Sequence, residues 1–249
     1  MIQVRPVTAR RCVWSHRTAA RGCGPVSVAA ATARDRICRD DVLVLIRHRD
    51  RSPSVDSSAY VAASAELIGE VVVGSQSRVM SGAVLDAEGS RVEIGDCTIV
   101  CEHAVLRATA VGDEEHPVIV GDHAFLGPHT TLLGCTVAAA AYLATNATVV
   151  HGAIVGTGAV VAVGALVHAG AVVPPEFLLP PGMIAIGDPL EIYAPGDPRL
   201  TAAIKAVGFA RRAFGVDADW EDPIARYRRI ATVRSDEFGA HRDDKIEAG

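Results

Sequence analysis

The sequence predicts a mainly β protein, built as a solenoid of short parallel strands with α-helices after it. An aliphatic residue recurs every six positions between Val61 and Val173, usually two residues after a small side chain. A period of six fits neither a helix nor plain alternation, but it fits a short strand and a turn repeated three times per coil. The composition agrees, since 49% of the chain is apolar but only 4% is aromatic, and closely stacked coils leave little space for large rings. The predicted inward positions are Val61, Leu67, Val73, Val79, Leu85, Ile94, Val100, Leu106, Val120, Leu126, Leu132, Val137, Leu143, Val149, Val155, Val161, Val167 and Val173.

The chain before the repeat is basic and has no readable period. Residues 1–53 contain 11 Arg and 4 Asp, a composition that matches a transit peptide. We expect either a leader that is disordered at least to residue 40 or upstream sequence translated from an early start codon. Near its end, Val42–Ile46 is predicted to form a strand, followed by a polar connection.

The solenoid domain is predicted at residues 54–195, with two interruptions. A step of nine residues in place of six predicts a loop at Asp86–Arg91, and a step of fourteen predicts a longer, projecting loop at Arg107–Ile119. The Pro-Pro pairs at 174–175 and 180–181 are expected to end the solenoid, because proline cannot donate to a strand ladder.

Residues 196–249 are predicted to form a helical tail. Two amphipathic segments rich in Arg and Ala, Leu200–Phe214 and Pro223–Phe238, read as helices that pack along the solenoid and cap its end.

Charge and hydropathy exclude two classes of partner. Although the net charge is only −5, the segment 54–195 carries 15 acidic residues and 3 Arg, which would repel a phosphate backbone and argues against nucleic acid. Apolar runs such as Val137–Ala144 are far shorter than the roughly 20 residues of a membrane span. We therefore expect a cytoplasmic protein without a membrane or nucleic-acid partner.

Several coils resemble one known family. SVDSSAYVAASAELIGEVVVG resembles the first coil of the γ-class carbonic anhydrases, and SRVMSGAVL resembles the second. HAFLGPHTTLLGCTV is similar to the metal-bearing coil of that family, and AVGALVHAGAVVPPEFLLPPGMIAIGDP to its closing coil. The family is part of the hexapeptide-repeat, or isoleucine-patch, superfamily. The resemblance implies a left-handed parallel β-helix and a homotrimer with three sites between subunits.

The resemblance also implies that the family's zinc site is absent. The family holds zinc with three histidines and leaves one position open for water. At the corresponding positions this chain has Arg107, Pro128 and Leu133, which do not coordinate zinc. A relocated site is not favoured, because three ligands must be correctly aimed, and we expect no cofactor. The histidines considered for such a site are His103, His123, His129, His151 and His168.

Acidic residues of the family's supporting shell are retained. The resemblance places Glu88, Glu102 and Asp86 at the slot where zinc and its water would lie, together with Arg107. In one interpretation Arg107 replaces the zinc charge and neutralises Glu88 and Glu102 across the interface. In the other, Arg107 binds a carboxylate or phosphate ligand and a Glu acts as acid or base. The first is favoured, because buried charges need partners whether or not chemistry occurs.

His116 follows the acidic run Asp113-Glu114-Glu115 in the longer loop. Related acyltransferases of the superfamily use a loop histidine as base, although a solvated loop tip is the simpler interpretation. The sequence thus favours a trimer that does not hydrate CO2 and has a structural or ligand-binding role at its interface. The alternative is an acyl-CoA-dependent transferase acting on a small molecule, so whether the chain is an enzyme stays open.

Overall fold

The computed structural model describes residues 44–111, 115–217 and 219–248. The predicted disorder of the leader to residue 40 falls outside these ranges, as do Asp113 and Glu114 of the longer loop. Among the described residues, no helix is both long enough and apolar enough to cross a bilayer.

Twenty-four short strands and three helices make up the described chain. In chain order the strands are β1 (Val44–Arg47), β2 (Ser54–Val55), β3 (Tyr60–Val61), β4 (Glu66–Ile68), β5 (Val71–Val73), β6 (Arg78–Val79), β7 (Val84–Asp86), β8 (Val92–Ile94), β9 (Ile99–Val100), β10 (Val105–Arg107), β11 (Val118–Val120), β12 (Phe125–Leu126), β13 (Thr131–Leu133), β14 (Thr136–Val137), β15 (Tyr142–Leu143), β16 (Thr148–Val149), β17 (Ile154–Val155), β18 (Val160–Val161), β19 (Leu166–Val167), β20 (Val172–Val173), β21 (Leu178–Leu179), β22 (Ile184–Ile186), β23 (Glu191–Tyr193) and β24 (Lys245–Ala248). The helices are α1 (Leu200–Val207), α2 (Phe209–Phe214) and α3 (Pro223–Phe238), and a 3₁₀ turn spans Gly239–Asp243.

The strands form three sheets, and each coil gives one strand to each sheet. The long sheet has the order β23-β22-β19-β16-β13-β10-β7-β4-β1-β24. The second sheet runs from β2 to β20 and the third from β3 to β21, with seven strands each. Within the coils the pairing is parallel, with Leu67, Leu85 and Leu106 in register on neighbouring strands. This is the mainly β, left-handed hexapeptide β-helix that the repeat and the resemblance predict, and the fold class is confirmed.

The core consists of the residues that the six-residue period selects. All eighteen predicted inward positions except Val61 are buried, and the small residues that precede them, such as Ala65, are buried too. Stacked coils bring these side chains directly above one another, so the core is one continuous aliphatic column. At roughly 1.5–3 kcal/mol for each fully buried aliphatic side chain, this column is the main source of stability.

The prediction that the prolines end the solenoid is wrong. Strand β21 follows the first Pro-Pro pair and β22 follows the second, and both strands continue the parallel ladders. Both pairs lie at corners between sheets, where the carbonyls of Pro174 and Pro180 accept the turn hydrogen bonds from Phe177 and Met183. A corner position does not require a ladder N–H, so proline is tolerated there.

The two predicted helical segments of the tail are confirmed. The first is divided into α1 and α2 at Gly208, whose positive φ of 62° is readily adopted by glycine. The second is α3, whose start is capped by the Asp222 carboxylate accepting from the Ala225 N–H. Two antiparallel pairings were not predicted from the sequence. Strand β23 pairs with β22, and β24 pairs with β1.

Candidate functional site

The candidate site lies at one corner of the long sheet, where β7 ends. Asp86 is the last residue of β7, and one Oδ1 atom accepts the Glu88 backbone N–H at 3.0 Å. The nine-residue step supplies the extra residues for this corner, and Glu88 takes a left-handed backbone with φ 45°. That conformation is uncommon for a residue with a side chain. Both carboxyl groups are buried, with Asp86 and Glu88 each 1% exposed.

The C-terminal tail brings three more ionisable groups to this corner. Because β24 pairs antiparallel with β1, Asp244 just before β24 lies opposite His48 just after β1. Asp244 contacts His48 Nδ1 at 2.6 Å through Oδ1 and His241 Nδ1 at 2.8 Å through Oδ2. His241 Nε2 lies 3.0 Å from Glu88 Oε1, and the two imidazole rings stack at 4.3 Å. We call His48, Asp86, Glu88, His241 and Asp244 the tail cluster.

Burial and mutual contacts shift the pKa values within the tail cluster. Burial, together with the neighbouring Asp86 carboxylate, raises the pKa of Glu88. Burial opposes the charged form of His241, but its hydrogen bonds to Asp244 and Glu88 outweigh that effect and raise its pKa. Burial likewise opposes ionisation of Asp244, yet the two imidazole contacts prevail and lower its pKa. The tail cluster therefore holds a proton between Glu88 and His241 more firmly than free side chains would.

Arg107 is neutralised within its own protomer. Its Nε–H donates to Asp86 Oδ2 at 3.0 Å, and its guanidinium lies 5.1 Å above the centre of the Phe238 ring. In the long sheet Arg107 is in register with Asp86 on one side and Leu133 on the other. Two of the three positions that the resemblance assigns to zinc ligands are therefore direct neighbours. The third, Pro128, is half-buried at the corner before β13.

A cavity of about 630 Å³ adjoins the tail cluster. Its lining includes Arg47, Arg49, Arg242 and Lys245, with Asp244 shared between cavity and cluster. Arg49 Nε–H donates to His48 Nε2 at 3.0 Å, so one cationic side chain extends from the cavity to the buried imidazole. Asp50 and Asp243 also line the cavity, and Asp50 pairs with Arg47 at 3.0 Å, so the positive charge there is largely balanced.

The structure brings together only some of the residues expected at the slot. Asp86, Glu88 and Arg107 lie close to one another, as expected. Glu102 is exposed in the turn before β10, whereas Asp86 and Glu88 lie where β7 ends. These turns are at opposite ends of the strands of the long sheet, so within one protomer Glu102 does not join the other residues.

His116 does not lie at a solvated loop tip; it is buried at 8% exposure, contrary to that interpretation. Its Nε2 lies 3.0 Å from the Arg212 carbonyl oxygen, and its backbone bridges to Thr109. A Cβ on Gly134 would come within 2.6 Å of the His116 Cβ, so a glycine there lets the loop fold back onto the sheet. The ring is covered by the tail, which the loop composition did not indicate.

Two more histidines are buried under α2. His151 lies 5.8 Å from Phe209 and 6.0 Å from Phe214 between ring centres, and His168 lies 5.7 Å from Phe209. Neither ring nitrogen of His151 has a hydrogen-bond partner among the described residues. Burial lowers the pKa of His151 to about 4, so the ring is neutral at physiological pH. These corner histidines serve as packing surface for the tail.

Sequence reasoning missed His48, His241 and Asp244. His48 follows the predicted first strand by two residues, and the other two follow the predicted second tail helix. Their only relevant signal is the pairing of β1 with β24, which joins opposite ends of the described chain. No local pattern predicts such a pairing.

No family model matches the chain. It is 37% identical over 112 residues to "Gamma carbonic anhydrase 3, mitochondrial" of Arabidopsis thaliana, covering 42% of this chain and 43% of that protein. It is 32% identical over 87 residues to "Gamma carbonic anhydrase-like 1, mitochondrial" of the same plant, covering 34% of each. The matches thus span less than half of these relatives.

Among solved structures, a putative acetyltransferase of Bacillus cereus is similar, with a TM-score of 0.47 and 19% identity over 77% of this chain and 95% of that one. The six-residue coils and the aliphatic column define the class, a hexapeptide-repeat β-helix protein. Within that class, the sequence matches show that the chain is similar to the γ-carbonic anhydrases, and to a relative named γ-carbonic-anhydrase-like, over less than half of its length.

Proposed function

We propose that this chain is a γ-carbonic anhydrase relative without the family's zinc site. It does not hydrate CO2 by the family mechanism, and its interface slot is structural or binds a small ligand. The observation that carries the proposal is the Arg107–Asp86 ion pair beside Leu133. A guanidinium and an aliphatic side chain offer zinc no ligand atom, and without bound zinc no metal-activated water forms there.

The Arg107–Asp86 pair supports a structural role for Arg107. Asp86 is almost fully buried, and a buried carboxylate left unpaired would destabilise the fold strongly. About one third of the Arg107 side chain stays exposed, so a carboxylate could also reach it. The two roles differ in one measurement: Arg107→Ala should abolish stabilisation by small carboxylates only if Arg107 binds them. If carboxylates never shift the melting temperature, the role is structural.

We also propose that the chain forms a homotrimer. The outward positions of the third sheet present Tyr142 and Leu178 at 45% and 59% exposure, and Phe125 stacks on Tyr142 at 5.2 Å, whereas Tyr60 lies beyond Arg78 in the same row. An apolar column of this kind on a solvent-facing sheet favours contact with another copy. Sedimentation equilibrium should give three times the 26.0 kDa chain mass. A monomer at micromolar concentration would contradict this.

An acyl-CoA-dependent transferase is the alternative function. It would use His116 as base, and that ring is covered by α2 and engaged by the Arg212 carbonyl, so α2 would have to move. Stabilisation by acetyl-CoA that is lost in His116→Ala would favour this alternative over the first proposal. Cytoplasmic localisation also remains a proposal, and the Arabidopsis relatives are named mitochondrial.

The direct test of the first proposal is CO2 hydration by the purified chain with zinc supplied. We expect no rate above the uncatalysed reaction.

A further inference from the structure

The tail cluster contains three potential metal ligands that meet at one point. His241 Nε2 lies 3.0 Å from Glu88 Oε1 and 4.0 Å from Asp86 Oδ2, and the potential ligand atoms of these three residues lie within 4.8 Å of one another. Around a tetrahedral ion with bonds of about 2.1 Å, ligand atoms are about 3.4 Å apart. The observed spacing therefore needs only small side-chain adjustments to fit one ion.

The second oxygen of the Glu88 carboxylate, bonded to the same carbon as the Oε1 atom that faces His241, is buried as well. The Glu88 side chain is fully buried, and its Oε2 has no hydrogen-bond partner among the described residues. The nearest side-chain nitrogens are too distant for hydrogen bonds, with His48 Nε2 at 3.7 Å and Arg49 Nη2 at 3.9 Å. A buried carboxylate oxygen without a partner is costly, and a metal ion is one of the few groups that would satisfy it.

The residues around these ligands are arranged as an outer shell. Asp244 faces His241 Nδ1 at 2.8 Å, so the N–H can reside on Nδ1 and leave the Nε2 lone pair directed at Glu88 and Asp86. His48 holds Asp244 through its other oxygen, and Arg107 holds Asp86. A carboxylate that fixes the far nitrogen of a histidine is a common feature of metal sites, because it sets the tautomer and the ring orientation.

We propose that Asp86, Glu88 and His241 bind one divalent transition-metal ion per protomer, with Zn²⁺ as the best fit. Two carboxylates and one imidazole suit Zn²⁺ better than Mg²⁺ or Ca²⁺, which prefer all-oxygen shells. The site lies within one protomer and differs from the family's position at Arg107, Pro128 and Leu133. It departs from the expectation from sequence that no metal binds, because its histidine comes from the tail.

The test is metal binding by the full chain after chelator treatment. Isothermal titration with Zn²⁺, and Co²⁺ absorption as a spectroscopic signature, should give one site per chain. Glu88→Gln and His241→Ala should each weaken binding at least 100-fold. The outer-shell variant Asp244→Asn should weaken it about 10–100-fold. The matched controls are Glu176→Gln and His123→Ala, which remove an exposed carboxylate and an exposed imidazole outside the tail cluster and should bind as wild type.

Variants that bind weakly are compared with wild type by far-UV circular dichroism, so that loss of fold is not read as loss of ligand. If Glu88→Gln unfolds the chain, the wild-type Co²⁺ spectrum decides alone: intense bands of a four- or five-coordinate ion support the site, and weak octahedral bands overturn it. Absence of Zn²⁺ binding by wild type, or binding equal in Glu88→Gln, also overturns the proposal. Zn²⁺ binding without CO2 hydration would leave the proposed function intact, so the two proposals fail separately.

Discussion

Replacing Asp244 with Ala tests how the tail is held on the solenoid. The substitution removes the acceptor of two short contacts, 2.6 Å to His48 and 2.8 Å to His241, and leaves the buried His48 Nδ1 without its partner. Hydrogen bonds to charged groups contribute about 1.5–3 kcal/mol each, and an unsatisfied buried donor costs a further 1–3 kcal/mol. Since part of this is shared, we expect a loss of about 3–5 kcal/mol at pH 7.

The assay is thermal unfolding together with hydrogen exchange of β1 and β24. For a chain of this size the loss corresponds to roughly 6–20 °C in melting temperature. Protection of the β24 amides should fall first, because β24 is held next to Asp244. The pKa of Asp244 is lowered below 3.8 on folding, so its contribution is present above that pH and is lost as the pH falls through the folded value.

The neighbouring acid supplies the matched control. Asp243 is exposed at the end of the 3₁₀ turn, and Asp243→Ala removes a similar charge without touching the imidazoles. If Asp244→Ala lies within about 0.5 kcal/mol of Asp243→Ala, the contacts of Asp244 with His48 and His241 do not hold the tail on the solenoid.

Two further predictions follow from the buried ionisable groups. Folding raises the pKa of Glu88 above 4.5 and that of His241 above 6.5, so the folded chain binds more protons than the unfolded chain. In metal-free protein, the contribution of Glu88 and His241 to stability should therefore fall as pH rises from about 4.5 through both folded pKa values, while His151, whose pKa is lowered to about 4, contributes in the opposite direction. The difference in stability between wild type and Glu88→Gln isolates the first effect: it should shift against wild type as pH rises, and a difference that does not depend on pH would contradict the raised pKa of Glu88. His151 is buried, and neither of its ring nitrogens has a hydrogen-bond partner within the part of the chain that the structure describes, so His151→Leu should change stability by less than about 1 kcal/mol or increase it. A loss above 2 kcal/mol in chemical denaturation would show that the ring has polar partners.

The fold was predictable because its signal is local and repeated. Each hexad places one aliphatic side chain inward, so a wrong assignment in one coil does not affect the assignment of the next. Val61 also fits the period, although it is only half-buried. The prolines misled the prediction because the period alone does not distinguish a corner from a strand. Pro174 and Pro180 lie at corners, where their missing N–H has no consequence.

The candidate site was predictable only in part. Asp86, Glu88 and Arg107 follow from the break in the repeat and from the resemblance. Their partners could not be predicted, since His48 and Asp244 are 196 residues apart and meet only because the last strand returns to the first. The burial of His116 could not be predicted for the same reason. The composition of its loop is polar, but α2 comes from a distant part of the sequence and covers the ring.

The proposed function requires that the zinc position of the γ-carbonic anhydrases is lost at Arg107, Pro128 and Leu133. The measurement that tests it most directly is the stopped-flow rate of CO2 hydration per chain with Zn²⁺ supplied. The triple variant Arg107→His, Pro128→His and Leu133→His serves as the comparison. Wild type should show no rate above buffer, whereas the variant regains the three imidazoles of a catalytic site and should gain a measurable rate if its trimer forms. A zinc-dependent rate in wild type would contradict the account.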